Sequence, residues 1–449
     1  MGRNIVRKTY VDDATWTAPA GVTCVKVMAF DSMSSITVGV DNAGCITDQG
    51  GIAVWGRNNS GQLILTTGTT GRSSASKIAS SIDWKKISSG KDYFLAISNS
   101  GQSNSLGNLA GFGVNASGQI GDASVTARSA PTLVTTGNVW FKDISAGNAQ
   151  SVGVGSDGSL YAWGINTNGN LGIGNVTPQS IPTLVLRGLT WKQAACSGDT
   201  NLFMAGITEG GDAYAWGLNA NGQLGVGDVT PRSSPIIVLG SKTWKSISCG
   251  DAFTVAIDTA GAMYAWGLNT HGQLGVGDVT PRSSPVAVLG GKTWIMVSAG
   301  ASHVVAIDTS NEAYAWGLNA NGQLGQNSVT PKSSPVIVSG SLKWTDVGAG
   351  GAVSGGVTTS GLCYMWGVNT YGQLGTNDTT PRSTPVAITS VGGSNLWRAY
   401  KKTKTKELYV DVTPGTSYTI SMLANTVTFG DTSIVGAIGC TELILEYYT

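Results

Sequence analysis

The stretch YAWGLNANGQLGVGDVTPRSSP, residues 214–235, decides the fold because it is one copy of a repeat. Nearly the same letters return from Tyr264 and again from Tyr314. Each copy carries an aromatic residue followed by Gly, and seven such pairs begin at Trp55, Phe112, Trp163, Trp216, Trp266, Trp316 and Trp366. Self-similarity at a period of roughly 20–50 residues indicates a solenoid, a propeller or another repeat array.

Two further elements recur with the Trp-Gly pair. A second tryptophan follows each pair after 28 to 31 residues, at Trp84, Trp140, Trp191, Trp244, Trp294, Trp344 and Trp397. The segment TVAIDTAG at residues 254–261 has counterparts elsewhere, including TVGVDNAG at residues 37–44. These short β-branched and aromatic runs, separated by Gly, Pro, Asn and Asp, are typical of strands. Four strands in a unit of about 50 residues, repeated seven times, predict an all-β chain folded as a seven-bladed β-propeller.

The order of these elements predicts how the ring closes. TVGVDNAG precedes the first Trp-Gly pair, whereas no such segment follows Trp397. We therefore expect the N-terminal strand to complete the last blade, so that the propeller spans residues 31–398. Closure of the ring removes the exposed sheet edges that promote aggregation.

The repeat resembles that of the regulator of chromosome condensation family. The matching elements are AYAWGLNANGQLG, then Pro, then W..ISCG, then VAID..G, in that order. The resemblance implies a seven-bladed propeller in which the Trp-Gly tryptophans pack between blades. The structural residues it implies are Trp55, Trp163, Trp216, Trp266, Trp316 and Trp366.

Composition and charge exclude several classes of function. The 449 residues carry a net charge of +1, which provides no field to attract nucleic acid. No apolar run is long enough for a membrane helix, and the N-terminus lacks the apolar core of a signal peptide. We therefore expect no nucleic-acid partner, no membrane insertion and no signal peptide.

The sequence shows no catalytic, metal or cofactor site, so we predict a protein that is not an enzyme. Gly153–Gly158 matches GxGxxG, but it lies on a predicted strand with no helix after it. The six cysteines form no CxxC pair, and only two histidines are present to help bind a metal. We expect buried free thiols, leave a Cys24–Cys440 pair open, and expect His303 to be a hydrogen-bonded structural histidine.

Variable positions within the repeat are candidates for binding. The residue before the Gly of NxxGQLG differs between units, and the candidates are Ser60, Asn168, Asn221, His271, Asn321 and Tyr371. The alternative is neutral drift in exposed turns. The hairpin before the Trp-Gly strand also spans eleven residues in the first two units, against five in most others. Such longer loops are places where a specific contact can be built.

A cation recurs between the two prolines of the repeat. It is Arg232, Arg282, Lys332 or Arg382 in the later units. One interpretation is a basic ring for a polyanion. The other, which the near-zero net charge favours, is surface charge balanced by Asp228, Asp278 and Asp378 a few residues away.

The two ends of the chain depart from the repeat. TWTAPAGVTCVKVMAF at residues 15–30 resembles the opening of glycine-rich domains of bacteriophage tail fibres. VDVTPGTSYTI at residues 410–420 and TVTFGDTS at residues 426–433 are similar to the closing segments of such domains, although the glycine-rich middle is absent. We predict a split terminal β domain of residues 1–30 with 399–449, in which the strand holding Val25 and Val27 pairs with ELYVDV and LILEYY.

This resemblance implies a bacteriophage origin. The main prediction is a non-enzymatic virion structural protein of a tail fibre, tail tip or capsid decoration, made in the host cytoplasm and located in the phage particle. Its terminal domain would attach it to other virion proteins or to sister chains in a homo-oligomer. A propeller face would bind a neighbouring protein or a host-surface receptor. The alternative is a bacterial propeller protein that binds or inhibits a partner protein.

Overall fold

A computed structural model describes residues 33–388 apart from six short gaps, at 48–50, 64–70, 79–81, 100–107, 136–138 and 186–187. Outside this range it describes only the backbone of the terminal strands listed below. Every regular element in the described part is a strand, so the predicted all-β class is confirmed. Among these residues there is no helix that could span a membrane.

The strands are numbered in chain order. Those before the propeller are β1 Ile5–Tyr10, β2 Ala14–Thr17 and β3 Cys24–Met28. Blade 1 comprises β4 Met33–Val38, β5 Asn42–Thr47, β6 Ile52–Gly56 and β7 Arg72–Lys77. Blade 2 comprises β8 Trp84–Ser89, β9 Tyr93–Ser98, β10 Leu109–Gly113 and β11 Arg128–Leu133. Blade 3 comprises β12 Phe141–Ala146, β13 Gln150–Gly155, β14 Leu160–Gly164 and β15 Gln179–Leu184.

The remaining strands follow in the same way. Blade 4 comprises β16 Trp191–Cys196, β17 Phe203–Thr208, β18 Ala213–Gly217 and β19 Arg232–Ile237. Blade 5 comprises β20 Trp244–Cys249, β21 Phe253–Asp258, β22 Met263–Gly267 and β23 Arg282–Ala287. Blade 6 comprises β24 Trp294–Ala299, β25 His303–Asp308, β26 Ala313–Gly317 and β27 Lys332–Ile337. Blade 7 comprises β28 Trp344–Ala349, β29 Val353–Thr358, β30 Cys363–Gly367 and β31 Arg382–Ala387. The C-terminal strands are β32 Leu408–Asp411, β33 Ser417–Leu423, β34 Thr426–Phe429, β35 Thr432–Ile434 and β36 Leu443–Tyr448.

The predicted seven-bladed propeller is confirmed, and its blades are antiparallel sheets of four consecutive strands. The first strand of each blade lines a central cavity. All six residues of β21 are buried, whereas those of the outermost strand β23 are mostly half-buried. This explains the apolar run FTVAID, because a second strand is covered on both faces by the neighbouring blades.

The predicted mode of ring closure is wrong. The N-terminal strand β4 pairs with β5 inside blade 1, and blade 7 is completed by its own four strands. The segment TVGVDNAG therefore does not correspond to TVAIDTAG. Residues 35–56 instead align without a gap to residues 246–267, which places β4 in the position of the WKSISC strand. Trp397, which was expected to begin a strand, lies outside the described residues.

The ring closes by packing and hydrogen bonding between blade 7 and blade 1, a junction that we call the seam. The backbone N–H of Ile36 donates to Oδ2 of Asp346 at 3.1 Å, and the indole of Trp55 donates to the carbonyl of Gln373 at 2.9 Å. Side chains of both blades, among them Val38 and Val353, share one buried cluster. None of the described strands is exchanged across this junction.

The outermost strand of blade 1 is adapted to the seam. Ser74 forms an antiparallel bridge with Thr376 of blade 7. The hydrogen bond from the N–H of Asn377 to the carbonyl of Ser73 at 2.6 Å, by contrast, has counterparts between other blades, such as Asn327 to Ser383 at 2.8 Å. The residue after Ser74, Ala75, stands where the outer strands of the other six blades carry Pro. Since Pro has no N–H, its replacement leaves the backbone free to pair at this one edge.

Two local predictions also need correction. Four residues separate β5 from β6, as they separate β21 from β22, so of the first two blades only blade 2 has a longer connection, of which residues 100–107 lie outside the described residues. In blade 3 the buried aromatic at the start of the first strand is Phe141, which packs edge-on against Tyr161, and Trp140 is 44% exposed. The sequence offered two adjacent aromatics, and the structure buries the second.

The terminal strands form two four-stranded sheets, each combining strands from both ends of the chain. β3 lies between β32 and β36, with Cys24 opposite Asp411 and Met28 opposite Ile444, so the predicted pairing of these three segments is confirmed. β2 pairs with β33 in the second sheet. The division into domains at residues 30 and 399 stays a prediction, and Cys440 lies outside the described residues.

Candidate functional site

The antiparallel blades give the ring two ends with different loops. One end carries the loops after the first and third strands, including the NxxGQLG turns, and we call it the turn end. The other carries the hairpins between the second and third strands and the starts of the innermost strands, and we call it the hairpin end. All of the candidate binding residues lie on the turn end, one in each of blades 1, 3, 4, 5, 6 and 7.

A fixed hydrogen-bond framework holds each turn. In blade 4, Oδ1 of the buried Asn219 accepts the N–H of Leu224 at 3.0 Å, and its Nδ2 donates to the carbonyls of Asp228 and Thr230 at 3.0 Å each. Oε1 of Gln223 accepts the N–H of the preceding turn residue at 2.9 Å. The same pattern recurs in blades 5, 6 and 7. The backbone of the turn is therefore set by Asn and Gln, whatever residue stands at its tip.

Glycine is required at the centre of the turn. Gly222 has a φ of +77°, and a Cβ there would lie 2.6 Å from the Cα of Ser283 in the next blade. The turn thus presses directly against its neighbour. This close approach fixes the glycine, whereas the two residues before it vary between blades.

The tips differ in exposure. His271, Asn321 and Tyr371 are exposed, whereas Ser60, Asn168 and Asn221 are half-buried. Tyr371 has a structural partner, because the guanidinium of Arg57 lies 5.1 Å from the centre of its ring across the seam. Other blades carry an aliphatic residue at the position of Arg57. The structure therefore brings the candidates to one end of the ring and gives Tyr371 a contact that the sequence did not reveal.

The Trp-Gly tryptophans lie between blades. All six are fully buried. Most indole N–H groups donate to the carbonyl of the Gln in the preceding turn, for example Trp266 to Gln223 at 2.9 Å and Trp366 to Gln323 at 2.9 Å. The Nε1 of Trp216 has no such partner among the described residues. These indole hydrogen bonds connect a turn to the blade that follows it.

The recurrent cations are balanced within their own loops. Arg232, Arg282 and Arg382 each donate to a carboxylate four residues earlier, at 2.6 Å. A backbone hydrogen bond from Thr230 and the pairing with Arg232 lower the pKa of Asp228. In blade 6 the acid is replaced by Ser328, so Lys332 lacks this partner. The charge-balance interpretation is thus confirmed in three blades, and it removes the basis for a basic ring.

The central cavity has a volume of about 200 Å³ and is lined mainly by small residues of the innermost strands. Ser88, Ser145 and Ser248 project their hydroxyls toward the next blade, where each accepts a backbone N–H at 2.9 to 3.1 Å. Burial raises the pKa of the Cys196 and Cys249 thiols well above its usual value. A thiol that stays protonated is a poor nucleophile, so this lining offers hydrogen bonds rather than reactive groups.

His303 has a structural role, as predicted. It is fully buried, and its Nε2 lies 2.8 Å from the hydroxyl of Ser354. That hydroxyl donates to the carbonyl of Gln323 at 2.8 Å, so it accepts from His303, which places the histidine proton on Nε2. Burial lowers the pKa of His303 to about 4, which keeps it neutral near pH 7. The described residues contain no cluster of side chains arranged to hold a metal ion.

The sequence did not predict a group of polar contacts that joins the loops of blades 2, 4 and 5 at the turn end. Nζ of Lys91 in blade 2 lies 3.0 Å from a carboxylate oxygen of Asp199 in blade 4. Asp251 of blade 5 accepts hydrogen bonds from Asn201 at 2.9 Å through both the backbone and the side chain. The loop of blade 4 that makes both contacts is longer than its counterparts, and this insertion in the repeat was the available signal.

Comparison with known proteins identifies the repeat. The RCC1-like domain model matches residues 3–304, more than half of the chain. Models of the regulator of chromosome condensation (RCC1) repeat match residues 295–323, 310–356 and 360–399. These matches give no support to the phage tail-fibre resemblance of the two ends.

Individual relatives agree with this assignment. The chain is 29% identical over 220 residues to the ultraviolet-B receptor UVR8 of Arabidopsis thaliana. The aligned region covers 47% of this chain and 48% of the receptor. The chain is 33% identical over 127 residues to the protein RCC2 homolog of Xenopus laevis, covering 27% of this chain and 24% of the relative. The chain thus spans less than half the length of these curated relatives.

A solved structure shows the same fold over nearly the whole chain. Yeast RCC1 (Prp20), solved with Kap60 bound to it, superposes with a TM-score of 0.66 at 17% identity. The superposition covers 94% of this chain and 90% of the yeast chain. At this identity the likeness establishes the fold alone.

Proposed function

Because the chain belongs to the family of RCC1-like propellers, we propose that it is a non-enzymatic scaffold that binds another protein through its turn end. The observation that carries this proposal is the contrast between a fixed framework and variable tips. Asn219 and Gln223, with their counterparts in the later blades, hold the turn backbone in one conformation. The tips His271 and Asn321 are exposed on that framework. A rigid surface that loses little entropy on association is well suited to specific binding.

The relatives support a binding role. The yeast relative was solved with another protein, Kap60, bound to it. The cavity and the turn end of this chain carry neither a reactive thiol nor a metal-binding cluster among the described residues. The proposal is therefore closer to the predicted partner-binding protein than to the predicted virion component. Location in a phage particle remains a prediction that depends on the terminal segments.

The test is a binding measurement with a matched control. The purified chain captures partners from an extract of the cells that produce it, and the affinity for an identified partner is measured by calorimetry. Three proteins are compared: the wild type, His271→Ala/Asn321→Ala at the turn end, and Lys343→Ala at the hairpin end. We expect the Kd to rise at least about tenfold for the first variant, since exposed tips at the centre of an interface each contribute on the order of 1 kcal/mol. Equal affinity of all three proteins would refute binding through the turn end.

A further inference from the structure

The hairpin end carries a second feature that the turn-end function does not use. In four consecutive blades the residue after the first aromatic of the innermost strand is a lysine, and these are Lys85, Lys142, Lys192 and Lys245. The corresponding residues of blades 6 and 7 are Ile295 and Thr345. We call the four lysines the lysine arc.

Each lysine of the arc occupies a β-bulge. The pairing of β8 with β9 shifts between Trp84 and Lys86, and the same shift occurs in blades 3, 4 and 5. The bulged residue is released from the ladder, and bulges of this kind redirect a side chain. Lys85, Lys192 and Lys245 are exposed, and each directly follows the first residue of an innermost strand at the hairpin end.

The arc is not neutralised in the way that the arginines of the turn end are. Lys142 pairs with Glu209 at 3.0 Å. Among the described residues, Lys85, Lys192 and Lys245 have no ion pair. Nearby carboxylates are directed elsewhere: Asp143 pairs with Lys86, and others cap the hairpins, as Oδ1 of Asp258 does by accepting two backbone N–H groups at 2.9 and 3.0 Å.

An exposed aromatic lies within this arc. Trp140 of blade 3 is 44% exposed and directly precedes Phe141. Blades 4, 5 and 6 carry Thr at its position. Asn108 of blade 2 fixes the adjacent backbone, because its side chain donates to the carbonyl of Phe141 at 2.7 Å and accepts its N–H at 3.0 Å. An exposed Trp next to a fixed backbone, on the same end of the ring as the lysine arc, has the composition of an interface hot spot.

We propose that the lysine arc and Trp140 form a second binding surface, at the hairpin end, for an extended acidic segment of a partner protein that carries an apolar side chain. The carboxylates of the segment would pair with Lys85, Lys192 and Lys245. Its apolar side chain would pack on the exposed face of the indole. Charge complementarity selects this partner. Trp140 is the one exposed aromatic among the described residues of the hairpin end, which distinguishes this surface from one for single-stranded nucleic acid, whose binding uses a series of stacking side chains.

The probe is a short fluorescein-labelled peptide of alternating Glu and Leu, with a Lys–Leu peptide as the charge-reversed comparison. Fluorescence anisotropy measures its Kd for the wild-type chain at two salt concentrations. We expect binding of the acidic peptide only, and weaker binding at the higher salt because exposed ion pairs are screened. Preference for the Lys–Leu peptide, or failure of both to bind, would overturn the proposal.

The variants separate a built surface from general positive charge. Lys85→Ala/Lys192→Ala/Lys245→Ala should raise the Kd at least about tenfold, since three exposed ion pairs are lost. The matched control removes three lysines of the same end that already have partners, Lys242 over Tyr264 and Lys292 and Lys343 in ion pairs. The control should change the Kd less than about threefold. Equal effects of the two triple variants would show non-specific attraction.

Two further measurements test the role of Trp140 and the choice between a protein segment and a nucleic acid. Trp140→Thr introduces the residue of the neighbouring blades, so the fold is expected to survive, and the Kd should rise by about tenfold. An unchanged Kd would remove Trp140 from the site. Tighter binding of single-stranded DNA than of the acidic peptide, lost in the arc variant, would assign the arc to a nucleic acid and overturn the protein-segment proposal. Because the probes engage the end opposite His271 and Asn321, neither result affects the turn-end function.

Discussion

Asp346 at the seam gives the most direct test of how the ring is held closed. Its carboxylate is half-buried between blade 7 and blade 1 and accepts the N–H of Ile36 at 3.1 Å. Burial raises its pKa from 3.8 to about 6, partly opposed by that hydrogen bond and by the charge of Lys86. The nearby Cys363 and Cys45 thiols have raised pKa values and stay neutral. Asp346→Asn removes the titration while keeping an oxygen that accepts from Ile36.

The sign follows from the native and unfolded pKa values. Because the native carboxyl holds its proton more tightly, the free energy of unfolding falls as the pH rises from 3.8 to about 6. A difference of roughly two pKa units corresponds to about 3 kcal/mol, which is an upper value for the group. At pH 7.5 we therefore expect Asp346→Asn to be more stable than the wild type by up to about 3 kcal/mol. At pH 4 the two proteins should be about equally stable.

Urea unfolding at both pH values gives the difference in unfolding free energy between the variant and the wild type. Comparing this difference at pH 7.5 and pH 4 cancels the titration of all other groups. Asp228→Asn is the control, because Asp228 is exposed at the turn end and its pKa is lowered rather than raised. It should show no gain at pH 7.5. A lower stability of Asp346→Asn at pH 7.5, or a pH dependence as steep as that of the wild type, would refute the account of the seam.

Three further predictions concern packing between blades. Trp266→Phe should lower the free energy of unfolding by about 1–3 kcal/mol because it removes a buried hydrogen bond to the carbonyl of Gln223, which keeps only the bond from Thr254, and because the smaller ring fills less of the space between blades. Trp216→Phe should cost less by urea unfolding, since its indole N–H has no partner among the described residues. Gly350→Ala would place a Cβ against a backbone carbonyl of blade 1 and should lower the melting temperature, whereas Gly198→Ala, with open space around it, should not. Cys45, whose pKa burial raises to about 12, should resist iodoacetamide at pH 8 until the chain is unfolded in urea, and rapid labelling of the native protein would contradict its burial.

The sequence was sufficient for the blade count because the repeated signals have direct physical causes. The Gly of each turn must adopt a positive φ against the next blade, as Gly222 does, so it recurs at a fixed place. The Trp-Gly aromatic fills the space between blades, and a residue of that size leaves few alternatives. The tips were predictable as variable positions for the converse reason, since the framework does not fix their side chains, although only His271, Asn321 and Tyr371 are exposed.

The sequence-based assignment of strands was wrong where one segment could be aligned to the repeat in two different registers. TVGVDNAG resembles TVAIDTAG, yet Gly39 and Gly56 have the same separation of 17 residues as Gly250 and Gly267, and this longer match is the one that the fold follows. Trp140 and Phe141 posed a similar choice, which only packing decides. The lysine arc was also hidden, because its lysines become neighbours only when the innermost strands converge on one mouth of the ring.

The closure of the ring without strand exchange has an evolutionary consequence. Since each blade is one continuous stretch of chain, a single duplication of about 50 residues copies a complete folded module. The near-identity of residues 214–235 with those beginning at Tyr264 and Tyr314 is the record expected of such duplications. In a propeller that shares a strand between its ends, the first and last units must change together. Here Arg57 and Ala75 differ from their counterparts in the other blades at the junction of the terminal modules, so lineages are free to diversify the tips of the internal copies one blade at a time.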